Sequence, residues 1–192
     1  LDLLRAVGQL PADCRARAQV LVAGDGELRA ECERVARELG VATAFAGFIN
    51  QSRLPEVYAA ADVLVLPSDA GETWGLVVNE AMASGRPAVV SRAVGCAADL
   101  VLPGQTGEVF ELGDTAALAG ILTRYLREPA LAARQGTAAS RHIQSFSYQQ
   151  VIAGILTAVQ TCARGARCSW SSCYWWLWRR WLPWLIGAGA SA

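Results

Sequence analysis

Short runs rich in valine, leucine and alanine alternate along this chain with longer stretches in which apolar residues recur every three or four positions. The runs Ala18 to Gly24 (AQVLVAG), VATAFAG, DVLVLPS, PAVVS and the shorter GEVFE are predicted strands. Between them, ELRAECERVARELG predicts a helix ending at Gly40. QSRLPEVYAAA predicts another, with Ser52 as a cap and Pro55 in the first turn, and GLVVNEAMASG a third, ending at Gly85. The opening LDLLRAVGQL is in helical register, and CAADLV predicts a short helix. Three further helices are expected over Asp114 to Arg127, Ala130 to Ser145 and Tyr148 to Cys162. Near-continuous apolar strands separated by helices imply an α/β fold, a parallel sheet covered by helices on both faces. Ligands of such sheets bind in the loops that follow the strands.

The pattern breaks at Arg164. The stretch CSWSSCYWWLWRRWLPWLIGAGASA holds six of the seven tryptophans and no acidic residue. Arg179, Arg180 and Pro183 interrupt its apolar run, so it makes a poor spanning helix. Its tryptophans point around most of a helix circumference. The expected domains are therefore 1–163, an α/β domain, and 164–192, a Trp-rich tail that is disordered or read out of frame rather than a membrane anchor.

Composition narrows the classes. A hydrophobic fraction of 53% with 18% charged residues excludes disorder, and zero net charge gives no basic field for nucleic acid. All 17 cationic residues are arginine, which removes lysine chemistry. The six cysteines show no zinc spacing, so free thiols in a reducing, cytoplasmic setting are expected.

Three strand-end loops carry the candidate chemistry. In GDGEL, Gly24 and Gly26 let backbone approach a ligand beside a helix N-terminus, where anions are favoured; a plain strand-to-helix turn is the competing reading. Asp25 and Glu27 imitate a metal motif but lack a third ligand, and no metal site is expected. In GFINQSRLP, Gly47, Phe48 and Ile49 could present main-chain groups to a flat ring, or merely connect two elements. The third loop, PSDAGETWGLVVNEAMASGRPAVVS, places Glu72 before a helix expected to begin near Trp74 or Gly75, with Glu80 about a turn and a half inside it. Two carboxylates bracketing unpaired backbone N–H groups suit a ligand with hydroxyls on both sides of a phosphate. A capping acid and a solvated helix glutamate are the alternative. His142, the only histidine, is expected on a helix surface, Cys96 in the interior, and Arg92 in solvent or against an anion.

ETWGLVVNEAMASGRPAVVS resembles the E-x7-E signature of retaining glycosyltransferases of the GT-B fold, the large family-four group. VLVAGDGELR, FAGFINQSRLPEVYAAADVLVLPS, VGCAADLVLPGQTGEVFELGDTAALAGIL and FSYQQV extend the resemblance, in the expected order, from Leu1 to Cys162. It implies a Rossmann-like domain, the C-terminal half of a GT-B fold, that binds the sugar-nucleotide donor. By that resemblance Glu80 holds ribose hydroxyls and Glu72, the catalytic candidate, holds the donor sugar near its anomeric carbon. Thr73, Trp74, Gly75 and Leu76 meet sugar and diphosphate, and the loop from Gly47 to Ser52 meets the base. The reaction implied needs no metal and no cofactor beyond the sugar nucleotide as co-substrate, and it retains anomeric configuration. A saccharide or lipid-linked acceptor would bind an N-terminal domain. The parent would be cytoplasmic or peripheral to the cytoplasmic membrane face, and would have no nucleic-acid partner.

Departures from the family pattern set further expectations. Its diphosphate-binding arginine and lysine, its first strand in this domain and its N-terminal domain are all missing from this chain, so the chain alone is expected to be inactive. Trp74 stands where phenylalanine is usual; Asp99 and Ala98 replace glutamate and proline. A non-catalytic nucleotide-sugar-binding or interaction module is the alternative. A dinucleotide-dependent dehydrogenase would need a third glycine that GDGELRA lacks.

Overall fold

The computed structural model describes residues 1–163, so the expectations for 164–192 lie outside the described residues. The chain divides into a compact unit, Leu1–Ser145, and a second unit that starts at Phe146 and contains the helix Tyr148–Ala163.

The first unit alternates strands and helices as the pattern predicts. Its strands are β1 (Val20–Ala23), β2 (Thr43–Gly47), β3 (Leu64–Leu66), β4 (Ala88–Ser91) and β5 (Gly107–Phe110). Its helices are α1 (Asp2–Gly8), α2 (Ala12–Arg15), α3 (Arg29–Glu38), α4 (Leu54–Ala60), α5 (Leu76–Ala83), α6 (Ala97–Leu100), α7 (Thr115–Arg127) and α8 (Pro129–His142). Two local expectations need correction. Ser52 does not cap the helix after β2. Asn50 instead caps a 3₁₀ turn, Gln51–Arg53, its side chain accepting from the Ser52 backbone N–H at 3.0 Å, and α4 follows without a side-chain cap. The single turn α2 has too few residues to show a period, and sequence reading missed it.

All strand ladders are parallel, but they form two sheets rather than one: β1 beside β2, and β3-β4-β5 in that order. In the first sheet Val22 faces Phe45 while Ala23 faces Gly47, an irregularity that advances Gly47 toward the following loop. The central strand of the larger sheet, β4, has all four residues buried. Burying each of its valines, Val89 and Val90, stabilises the fold by about 1.5–3 kcal/mol. The main core joins α1, through Leu4 and Val7, to Val20, Val35, Val89, Phe110 and Leu118.

The helices are positioned by ordinary end chemistry. Asp114 accepts from Ala117 N–H at 2.8 Å and caps α7, whose last turn carries Arg124 and Arg127, cations at the end of the helix that favours them. Pro129, which lacks a donor, opens α8 where none is needed. A buried polar network joins α7, α8 and β5. Tyr125 donates to Gln135 Oε1, Gln135 Nε2 donates to Glu108 Oε1 at 3.4 Å, and Arg124 donates to the same oxygen at 2.5 Å. Burial pushes the Tyr125 phenol well above its usual range, with the Glu108 charge adding to the effect, so it remains a donor. Tyr125→Phe leaves Gln135 Oε1, on a residue only 1% exposed, without its donor. The expected loss is about 1–3 kcal/mol of unfolding free energy in a urea titration; an unchanged midpoint would show that the network does not hold α7 to α8.

Candidate functional site

Two loop clusters form at the carboxyl ends of the strands. In the first, Gly24 N–H donates to Gly47 carbonyl at 2.8 Å, which draws the ends of β1 and β2 together. Gly24 and Gly47 thus meet, while Gly26 is already engaged: its N–H donates to Asp25 Oδ1 at 2.9 Å. The helix behind this loop starts at Arg29, not directly after the glycines. Asp25 also pairs with Arg29 at 3.2 Å, so its carboxylate is committed to the protein. Phe48 projects into solvent, 86% exposed, and Ile49 is half-buried beside it.

The second cluster contains the two glutamates. Asp69 shapes the loop, its side chain accepting from Gly71 N–H at 2.9 Å and its carbonyl from Glu72 N–H at 3.1 Å. The chain then turns through Gly75, whose φ of 93° is a left-handed conformation that favours glycine. Helix α5 starts at Leu76, later than Trp74, and Gly75 as its N-cap offers no side-chain acceptor. Among the described residues the backbone N–H groups of Trp74, Gly75 and Leu76 form no hydrogen bonds. They are unpaired donors at a helix N-terminus.

What holds this loop is a contact that sequence reading missed. Gly95 N–H donates to Glu72 carbonyl at 3.2 Å, and Cys96 N–H to Trp74 carbonyl at 2.9 Å. The approach is so close that a Cβ at Gly95 would lie 1.9 Å from the Thr73 carbonyl oxygen. Cys96 is fully buried, its Sγ 4.0 Å from the Gly75 carbonyl. Burial pushes its thiol up to about 11, and the nearby Glu72 charge pushes in the same direction. Ser91 Oγ, at the end of β4, donates to the Ser68 carbonyl and anchors the start of the loop. Trp74 is half-buried, with its indole N–H donating to Asn79 Oδ1 at 2.9 Å on α5.

The glutamates differ in their surroundings. Glu72 makes no side-chain hydrogen bond among the described residues, so its carboxylate is open. Glu80, half-buried on α5, accepts from the Tyr58 hydroxyl at 2.7 Å. Thr73 and Leu76 are exposed, Leu76 by 68%. The structure therefore brings Glu72, Thr73, Trp74, Gly75, Leu76 and Glu80 onto one loop and helix start. Gly24 and Gly47 form a separate cluster, with Phe48 following them. Helix α4, which follows that cluster, links the two through Tyr58.

This arrangement acquires a family from comparison with known proteins. The model of the glycosyl transferases group 1 family matches residues 1–142. The chain belongs to that family. Among curated relatives of this glycosyltransferase chain, a D-inositol 3-phosphate glycosyltransferase of Streptomyces coelicolor is 38% identical over 161 residues, 79% of the chain and 35% of that protein. Among solved structures, the sucrose-phosphate synthase of Thermosynechococcus elongatus matches with a TM-score of 0.71 at 30% identity. The match covers 86% of this chain and 42% of that one. Anabaena Alr3699/HepE in complex with UDP matches with a TM-score of 0.70 at 27% identity, covering 82% and 44%. The chain thus spans about a third of the length of the first curated relative. These neighbours have the GT-B fold, which the parallel α/β architecture shares.

The remaining candidates resolve differently. Arg92 is exposed, as expected, and pairs there with Glu111 at 2.5 Å. His142 is half-buried, not on the surface, with Nε2 3.1 Å from the Asp99 carbonyl. Among the described residues no group of three or more His, Cys, Asp or Glu is placed to hold a metal ion, and no helix is long and apolar enough to cross a membrane. An open hollow of about 470 Å³, lined by Glu33, Arg37, Thr43 and Phe45, includes none of the candidate residues.

The Gly95 contact has a direct test. Gly95→Ala must push the 72–75 segment aside, so the amide of Cys96 is expected to exchange with solvent faster. Stability should fall by about 1–3 kcal/mol, the usual cost of overpacking. Unchanged amide exchange would contradict the clamp.

Proposed function

We propose that this chain is the donor-binding half of a retaining glycosyltransferase, which moves a sugar from a nucleotide-sugar donor to a saccharide or lipid-linked acceptor. The observation that carries the proposal is the uncapped start of α5. Three unpaired N–H groups lie between Glu72 and Glu80 in sequence, on a loop held by the Gly95 contact. Those donors suit the negative charge that develops on a departing diphosphate. The Glu80 carboxylate accepts ribose hydroxyls, and Glu72 accepts hydroxyls of the donor sugar beside the anomeric carbon. The Gly47 to Ser52 loop meets the base through main chain, with Gly24 contributing at the neighbouring strand end.

The binding of UDP and UDP-glucose by Anabaena Alr3699/HepE, at 27% and 26% identity, supports a sugar nucleotide as ligand. The chain holds no lysine, so the cationic side chains it can offer a diphosphate are arginines. In this reading the chain alone binds a nucleotide sugar without turning it over. The reaction as proposed uses no metal and no further cofactor. We place the parent protein in the cytoplasm, where sugar nucleotides are available.

Calorimetric titration with UDP and UDP-glucose tests the two carboxylates separately. Hydrogen bonds to a charged group contribute about 1.5–3 kcal/mol, so Glu80→Ala is expected to weaken both ligands by roughly ten- to a hundredfold. Glu72→Ala is expected to spare UDP and to remove only the extra affinity for UDP-glucose. Equal losses for both ligands in both variants would refute the division of roles. Measurable sugar transfer by this chain alone would refute its standing as a donor-binding half.

A further inference from the structure

Tyr58 lies in α4, 22 positions before Glu80, and is 9% exposed. Its hydroxyl donates to Glu80 Oε2 at 2.7 Å, a short charge-assisted bond between two helices that the chain joins only through β3 and the glutamate loop. Burial, and after it the hydrogen bond and charge of Glu80, raise the phenol well above its ordinary value. The hydroxyl therefore stays a donor throughout the physiological range and cannot ionise against the carboxylate. The backbone of α4 is fixed in the same neighbourhood, since Arg86, in the turn after α5, donates to the Ala59 carbonyl at 3.0 Å.

The other oxygen of Glu80 is in a different state. Oε1 makes no hydrogen bond among the described residues, and it is not among the side-chain atoms sealed from solvent without a partner. An ionised carboxylate has about four acceptor positions. Tyr58 takes one of them on Oε2. Both acceptor positions of Oε1 remain for hydroxyls from outside.

We infer that Tyr58 is a positioning residue for Glu80: it holds Oε2 so that the carboxylate presents a fixed edge to the vicinal ribose hydroxyls of a nucleoside diphosphate. The inference rests on the reading of Glu80 as the ribose acceptor and adds a partner to it. A glutamate side chain on a helix surface samples several rotamers, and a ligand that needs one of them loses affinity by ordering it. With Tyr58 bound to Oε2, that freedom is lost on folding, before a ligand arrives. The consequence is specific: removing the hydroxyl should harm recognition of ribose hydroxyls and leave recognition of base and diphosphate alone.

The test is calorimetric binding of UDP and of 2′,3′-dideoxyuridine diphosphate, which lacks both ribose hydroxyls. Four proteins are compared: the full chain, Tyr58→Phe, Glu80→Ala and the double variant. Tyr58→Phe is expected to weaken UDP about three- to tenfold while changing the dideoxy analogue less than about twofold, and to cost nothing further in the Glu80→Ala background. Equal weakening of both nucleotides, or the same loss with and without Glu80, would overturn the positioning role. So would a Tyr58→Phe chain that no longer unfolds cooperatively, because the hydroxyl would then act on stability. If Glu80→Ala leaves the preference for UDP over the dideoxy analogue intact, the ribose reading of Glu80 itself fails. If Glu80→Ala removes that preference and Tyr58→Phe does not touch it, only the role of Tyr58 fails.

Discussion

The site depends on one close backbone contact, in which the loop after β4 lies so near the loop after β3 that only a glycine fits at position 95. Two hydrogen bonds cross there, from Gly95 N–H to Glu72 carbonyl and from Cys96 N–H to Trp74 carbonyl. They consume the carbonyls on either side of Thr73 and leave the N–H groups of Trp74, Gly75 and Leu76 pointing elsewhere. The left-handed turn at Gly75 then starts α5 without a capping side chain over its first turn. A buried thiol at Cys96, held neutral beside Glu72, fills the space beneath the turn without adding charge. The geometry of the two carboxylates follows: one on the clamped loop, one just over a turn along a helix whose start is fixed.

Behind this contact the fold supplies stiffness. The strand that ends at Ser91 is buried throughout, and Ser91 itself anchors the preceding loop at Ser68. Because β3 and β4 pair in parallel, both strand ends emerge on the same side, which is what allows the two loops to meet. Membership of the glycosyl transferases group 1 family and the GT-B likeness agree with this geometry, since ligands of parallel α/β sheets lie at strand carboxyl ends.

Much of this was legible in the residues. Valine-rich runs such as PAVVS announce buried parallel strands, and ELRAECERVARELG carries its helix period openly. The glutamate pair was legible because both members sit in one contiguous stretch. Features that depend on contacts between distant segments were not. Tyr58 looks like an ordinary apolar-face residue of α4, and nothing local says that its hydroxyl meets Glu80. Gly95 follows a valine in a loop, and its need to be glycine arises from the Thr73 carbonyl, not from its neighbours. The division of the strands into two sheets is likewise a matter of pairing, to which a run of valines is silent. The 3₁₀ turn that Asn50 caps has only three residues, too few to show a period beside α4.

The central claim is that a nucleoside diphosphate binds where the clamped loop meets the start of α5. A crystal structure of this chain soaked with UDP tests it most directly. The account requires ribose hydroxyls within hydrogen-bonding distance of Glu80 and diphosphate oxygens facing the N–H groups of Trp74, Gly75 and Leu76. Density for UDP in the hollow between Glu33 and Phe45, with the glutamate loop empty, would contradict it.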